Sequence, residues 1–413
     1  MPGGVTEFEG HDVVGQRYNK EEPRLRRWLP ILIAIAFTLP GVFLELGVYH
    51  ASSPIEALIF GIAIISSAFL LSWASEALQV DVSQGLALAL LALIAILPEY
   101  VVDATFAWLA ASDPAYGSYA VANMTGANRL LIGIAWPLVM FLIWFRSRRH
   151  HVTLEPAHGL ELVTLLAATI YAFIIPFKGN LSMIDLVVLI GIFILYIVRV
   201  ARLPAEQPHL VGPAKDIGEL RPRARRTVIA ALGMVAGGVI LLVAEPFATA
   251  LVDTGTLFGI DEFLLVQWLA PLASEAPEFV VVSIFAWRGA ATAAFGALIS
   301  SKVNQWTLLI AMLPLIYAIA LGDIVPLPLD DRQQEEILLT AAQSLFAITL
   351  LLDLRFSVIG GAALFVLFMI QFIWTDIHVP MIGVYIVAAV VTLFISRGQF
   401  GNAFRGARST RQH

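Results

Sequence analysis

The chain has 413 residues, of which 59% are hydrophobic and only 14% charged, with a mean hydropathy of +0.83. A water-soluble globule carries about a quarter charged residues, so this is the composition of a membrane protein. Cysteine is absent and the formal net charge is −6, which excludes disulfides, thiolate metal sites and thiol chemistry and leaves no cationic surface for a nucleic acid.

Residues 1–27 are polar and mixed in charge, with Gly3, Gly4, Gly10, Gly15 and Pro23. They read as a solvated cytoplasmic tail and not as a signal peptide, because the first apolar run, 28–49, is long enough to stay in the membrane as an anchor. That run opens an extra helical segment, 28–54. Further apolar runs follow at 55–78, 84–110, 116–145, 158–176 and 182–200. Residues 201–226 then bring Pro204, Pro208, Pro213 and Pro222 together with Arg221, Arg223, Arg225 and Arg226, the make-up of a cytoplasmic linker. A second block, 227–374, holds runs at 227–253, 262–288, 291–322, 335–352 and 356–374. Segment 375–413 adds one more run, 379–396, and a cytoplasmic tail. Runs near the ~20 residues that a helix needs to cross a bilayer are too long for barrel strands, so the expected fold is all-α, polytopic, with about twelve transmembrane helices.

Threading the runs alternately places twenty-one of the 25 Lys and Arg on one side. Only Lys178 and Arg332 fall on the other, and Arg129 and Lys302 lie inside runs. Positive loops stay cytoplasmic, so both termini are expected inside, in the cell (inner) membrane. Trp28, Trp108, Trp144, Trp287 and Trp374 stand at run ends, where interfacial anchors belong.

The two blocks repeat each other. Ile94 to Glu99 matches Ala273 to Glu278 at an offset of 179 residues, and Leu181-Ser182 falls on Phe356-Ser357 at an offset of 175. An odd number of crossings separates Glu99 from Glu278, so blocks 55–200 and 227–374 are expected to be two inverted five-helix repeats with one flanking helix at each end. This is a device of carriers that alternate access around a midplane site. Pro98 and Pro277 each remove a backbone donor and free a carbonyl one turn earlier, near Ile94 and Ala273. Such carbonyls, with an adjacent Glu, suit a hard cation such as Ca²⁺ or Na⁺. Asp103 lies one turn after Glu99 and Glu275 just before Glu278. Six ionisable groups at membrane depth, these four with Arg129 and Lys302, would cost ~3 kcal/mol each if lipid-facing, so they are expected to line a polar interior.

With these residues in view, the chain resembles the sodium/calcium exchanger (cation/calcium antiporter) superfamily over roughly 55–374. The resemblance is carried by Pro98-Glu99 with Asn123, Gly126 and Asn128, and by Pro277-Glu278 with Gly296 and Ser301. It implies ten core helices whose acidic turns meet mid-membrane, with Glu99 and Glu278 as the ligands of the transported cation. Asp103, Glu275, Ser274, Asn123, Ser301 and Gln305 are expected to complete the cation-binding set. The chain departs from the family pattern at Ala95, Ile96, Ala127 and Leu131, where hydroxyl or amide ligands are lost, and at Lys302, which stands in place of an Asn. Arg129 and Lys302 are charge partners that either replace a cation or pair with Asp103, Glu275 or Glu245.

Other features point to structure. His150-His151 beside Arg148-Arg149 reads as a solvated basic loop, and Gly233, Gly237 and Gly238 as helix-packing contacts. Asp323, Asp330, Asp331, Glu335 and Glu336 read as a solvated acidic face. No hydrolase motif is present, and Ala320 to Asp323 only faintly matches an intramembrane aspartyl protease turn. The expected function is therefore secondary antiport of Ca²⁺ or Na⁺ against H⁺, not enzymatic, with no cofactor, and with inorganic cations and the bilayer as partners. Sodium/calcium exchange proper, and a carrier fold that has lost cation transport or turned to an anion held by Arg129 and Lys302, are the alternatives.

Overall fold

The computed structural model describes residues 24–81, 97–201, 210–395 and 403. Each of the twelve expected runs contains a helix among them. They are Arg24–Glu45, Ser53–Leu78, Leu97–Leu109, Ala115–Ser147, Pro156–Lys178, Met183–Val200, Pro222–Phe258, Glu262–Arg288, Ala291–Leu321, Asp331–Thr349, Val358–Ile373 and Thr375–Ile395. Nine of these are long and apolar enough to cross a membrane, and Val358–Ile373 is a shorter apolar helix. Asp331–Thr349 stays outside that set because its first turns carry exposed Asp331, Arg332 and Glu335 and its inner face is polar: Gln333, Glu336, Thr340, Gln343 and Ser344 are all buried.

The inverted repeat is visible in local structure. Ser182 caps Met183–Val200 through a capping box with Asp185, and 175 residues later Ser357 caps Val358–Ile373 by accepting from the Gly360 amide at 3.0 Å. A π-helical turn, Leu131–Ala135, interrupts Ala115–Ser147, and another, Gln305–Leu309, interrupts Ala291–Leu321 at an offset of 174. Such turns widen a helix by one residue and gather at functional sites.

Four short strands pair in the same pattern. β1 (His151–Thr153) runs antiparallel to β4 (Arg355–Ser357), and β2 (Asn180–Leu181) to β3 (Leu327–Pro328). The 175-residue offset that relates Leu181 to Phe356 carries β2 onto β4, and the connections holding β1 and β3 occupy matching places in the two blocks. Exchanging the repeats therefore exchanges the two sheets. Each sheet joins loops that alternate threading puts on one side, β1 and β4 on the basic side, β2 and β3 on the other.

The first helices of the two repeats, Ser53–Leu78 and Pro222–Phe258, lie along each other, and Arg24–Glu45 packs on the first of them. Thr375–Ile395 packs on Asp331–Thr349. Pro222–Phe258 has 37 residues and is ~55 Å long, well beyond the ~30 Å apolar thickness of a bilayer. Its first turns therefore project from the membrane, and there Arg225 holds Asp81 with two hydrogen bonds of 2.7 Å. Residues 201–226 are thus not simply a loop: Pro213–Gly218 is a short helix, and Arg223, Arg225 and Arg226 already belong to Pro222–Phe258. Gly233, Gly237 and Gly238 are not tight packing contacts, since a Cβ at any of them would meet nothing within 4 Å. Gly126 is one: a Cβ there would fall 1.8 Å from the Gln267 carbonyl oxygen, so only glycine lets Ala115–Ser147 approach Glu262–Arg288 this closely.

Candidate cation-binding site

Leu97–Leu109 carries Glu99 and Asp103 on one buried face, as residues four apart on a helix must be. Glu262–Arg288 runs unbroken through Pro271 and Pro277 and brings Ser274, buried Glu275 and half-buried Glu278 towards the same place. The segment with Ile94, Ala95 and Ile96 lies outside the described residues.

A cavity of about 320 Å³ lies between the repeats and is lined by Glu99, Ser274, Glu275, Glu278, Ser301 and Asn304, among others. Gln305, at the start of the second π-turn, ties the carboxylates together. Its Nε2 donates to Glu275 Oε1 at 2.5 Å and to Glu99 Oε2 at 3.1 Å. Ser301 Oγ donates to Glu278 Oε2 at 2.9 Å. Ser274 turns its hydroxyl back onto its own helix, to the carbonyls of Ala270 and Pro271. Asp103 and Asn123 form a separate buried pair, Asn123 Nδ2 to Asp103 Oδ1 at 2.7 Å, and neither lines the cavity. Among the described residues, no hydrogen-bond donor reaches these buried side-chain oxygens of the groups just named: Glu99 Oε1, Asp103 Oδ2, Asn123 Oδ1, Glu275 Oε2, Asn304 Oδ1 and Gln305 Oε1. Unsatisfied buried acceptors are costly, and hard anionic and amide oxygens are what Ca²⁺ or Na⁺ selects.

The two cations do not pair as the sequence suggested. Lys302 Nζ donates to Asn128 Oδ1 at 2.6 Å and sits 4.4 Å from the centre of the Trp306 ring. Asn128 and Lys302 occupy equivalent places in the two repeats, 174 residues apart, so the pair joins the repeats where they meet. Arg129 turns away from the carboxylate site altogether. Its Nη2 lies 2.5 Å from Glu336 Oε2, both side chains are fully buried, and the guanidinium stacks on Trp268 at 5.0 Å. Glu336 also accepts from Gln267 Nε2 at 2.9 Å and lies 3.1 Å from His378 Nδ1. Glu336 is therefore not part of a solvated face, although Asp323, Asp330, Asp331 and Glu335 are exposed. Glu245, offered as a partner, is exposed. Because Arg129 reaches neither cavity, an anion held jointly by Arg129 and Lys302 loses its structural support.

Sequence reasoning missed several groups. Asn304 lines the cavity, Glu76 joins it from Ser53–Leu78 with Ser72 donating at 3.0 Å, and Tyr196 and Ser300 form its far wall. Glu161 stands behind that wall. Glu76 and Glu161 are carboxylates inside apolar runs, the same signal that drew attention to Glu99.

Comparison with known proteins follows the same lines. The sodium/calcium exchanger protein family matches over residues 53–201 and 228–375. The crystal structure of the H⁺/Ca²⁺ exchanger CAX is 41% identical, covering 93% of this chain and 98% of that one, with a TM-score of 0.89. Native YfkE shares the fold at 18% identity, with 84% and 98% covered and a TM-score of 0.61. So does the sodium-calcium exchanger NCX_Mj soaked with 100 mM Na⁺ and 10 mM Sr²⁺, at 17% identity, 83% and 98% covered, and a TM-score of 0.52. A comparison with curated proteins returns no match.

Proposed function

The chain belongs to the sodium/calcium exchanger family, and from that premise we propose that it exchanges Ca²⁺ for H⁺ by alternating access, with Glu99 and Glu278 as the principal cation ligands. Glu275, Asn304 and Gln305 supply further oxygens, and Ser301 orients Glu278. The relative of 41% identity, an H⁺/Ca²⁺ exchanger, supports the same substrate pair.

The observation that carries the preference for H⁺ over Na⁺ is the Lys302–Asn128 contact. A fixed ammonium occupies the amide oxygen that a sodium ion would use, and the equivalent hydroxyl position in the first repeat is Ala127. What remains is a group of carboxylates. A buried carboxylate must be neutralised, by a cation or by a proton. Ca²⁺ entering the cavity takes the oxygens and sets protons free; Ca²⁺ leaving lets protons return. The two occupants then share the same oxygens in turn, which is obligatory exchange. The cavity runs along Ser72, Glu76, Gln79 and Val200 towards the ends of Ser53–Leu78 and Met183–Val200, the side that the basic loops mark as cytoplasmic.

Proteoliposomes test the reading directly. Ca²⁺ uptake should follow an imposed pH gradient and change the luminal pH in step. Glu99→Gln and Glu278→Gln should each abolish flux in protein that still inserts and folds. Uptake driven by a Na⁺ gradient alone, with no response to pH, would return the protein to sodium/calcium exchange; wild-type flux in both variants would show that the site lies elsewhere.

A further inference from the structure

Behind the site cavity lies a second one, of about 1000 Å³, lined by Arg149, His150, His151, Glu155 and His158 on the basic loop side and by the start of Ala291–Leu321. Ser300 belongs to the walls of both cavities. Between them stands one carboxylate. Glu161 Oε1 accepts from Ser300 Oγ at 2.5 Å and from Tyr196 OH at 3.2 Å, and those two hydroxyls, themselves 3.1 Å apart, face the site cavity. Glu161 Oε2 lies 2.7 Å from His158 Nδ1, and His158 faces the larger cavity. One oxygen of a single carboxylate thus serves each side.

The placement of His158 is fixed from behind. A Cβ on Gly296 would fall 2.5 Å from its Cε1 and 3.1 Å from its Nε2, so the ring rests directly on the Gly296 backbone and a side chain there would displace it. Among the described residues, the charged and titratable groups around the pair come from few elements. Arg149, His150, His151 and Glu155 come from the loop, Tyr196 from Met183–Val200, and the Ser300 hydroxyl from Ala291–Leu321.

We propose that Glu161 and His158 form a proton relay that carries H⁺ between the carboxylate site and the larger cavity, on a path separate from the one the cation takes. The relay rests on the H⁺-coupled reading above. A proton displaced by the incoming cation passes through the site cavity to the Ser300 and Tyr196 hydroxyls and protonates Glu161 at Oε1. The carboxylic acid turns about its Cγ–Cδ bond so that the oxygen now carrying the proton faces Nδ1 of neutral His158 and gives the proton up there, and the imidazolium releases one from Nε2 towards the larger cavity. Glu161 is again ionised and His158 again neutral, and the ring tautomer resets by exchange with water in the larger cavity. One proton has moved and nothing is consumed. Imidazole suits the step because its charge changes between about pH 5 and 8. A separate path relieves a conflict in the site cavity, where a divalent cation and departing protons would otherwise repel each other along one narrow route.

The test uses the full chain in proteoliposomes, with Ca²⁺ and luminal pH read together. Wild-type protein is measured first: absence of proton counter-flux there overturns the coupling reading itself. Where wild type couples, His158→Ala and Glu161→Gln should slow exchange at saturating Ca²⁺ by on the order of a hundredfold, leave the Ca²⁺ concentration for half-maximal rate unchanged, and alter the pH profile. Imidazole added on the cavity side should restore His158→Ala, and a series of azoles should restore it in the order of their basicity. His158→Asn, which keeps a polar contact to Glu161 but cannot carry a proton at neutral pH, should remain slow. Wild-type rates and pH profile in His158→Ala and Glu161→Gln, or a loss that appears only in Ca²⁺ affinity and that no azole repairs, would overturn the relay.

Discussion

Glu161 and Glu336 are the same residue of the repeat seen twice. Each stands five residues past the start of its helix, at Pro156 and Asp331, and the two are 175 residues apart. Their surroundings differ. Among the described residues, Glu161 meets two hydroxyls and one imidazole, and it lies between two cavities. Glu336 is sealed among Arg129, Gln267 and His378, at a place that lines neither cavity. One end of the molecule is thus open at the position where the other is closed, and the closed end is held by a buried ion pair that the open end cannot copy, because the equivalent of Arg129 is Val303. An inverted repeat supplies the symmetry that makes alternation possible; the departures from symmetry decide which end is latched more firmly.

The largest expected effect falls on the latch. Glu336→Gln leaves Arg129 buried beside a neutral amide, and breaking a buried pair from one side costs about 3–5 kcal/mol. Thermal unfolding in detergent should show this loss, while Glu161→Gln, which strips charge from a carboxylate that has no Arg or Lys partner among the described residues, should cost about 1 kcal/mol or less. Equal losses would remove the contrast. A second expectation concerns access. The chain has no cysteine, so Ala297→Cys, in the walls of both cavities, should react readily with a membrane-impermeant thiol reagent, whereas Ala122→Cys, near the equivalent place in the first repeat and fully buried, should not. Equal labelling would mean that both ends are open.

The smallest effect lies outside the membrane. The hydrogen bonds from Arg225 to Asp81, with the charges of Arg225 and Arg226 beside it, hold the Asp81 carboxyl down at about 2. A depressed carboxylate stabilises the fold above its unfolded value, near 3.9, and that contribution disappears as pH falls through about 2. Asp81→Asn should therefore lower thermal stability slightly at neutral pH and not at pH 2, in protein assayed by its unfolding midpoint. A loss of the same size at both pH values would show that the pair acts by packing and not by charge.

Much of this was legible in the residues. Apolar runs, proline breaks and the distribution of Lys and Arg laid out the helices, and the Pro-Glu pairs marked the carboxylates that line the cavity. Arg129 was not legible, because its partner is 207 residues away on a helix whose acidic start looked solvated. A signal was available there. Gln333, Glu336, Thr340 and Gln343 recur at spacings of three and four, a polar stripe on one helix face, which in a lipid-bound helix must turn inward. Lys302 was flagged, but its contact with Asn128 required knowing that the two repeats touch at equivalent positions.

The sequence by itself determined the elements that depend on neighbours along the chain: which segments are helical, where they are capped, and that two blocks repeat in opposite sense. Hydrophobic length and local hydrogen bonding are short-range, so they are written in order. Tertiary structure decided the rest: that Gln305 bridges Glu99 and Glu275, that Asp103 withdraws to Asn123, and that one of two equivalent carboxylates is latched while the other borders two cavities. Those pairings are settled by which helix faces meet. In a low-dielectric interior a buried charge is compelled to find whatever partner the packing brings within reach.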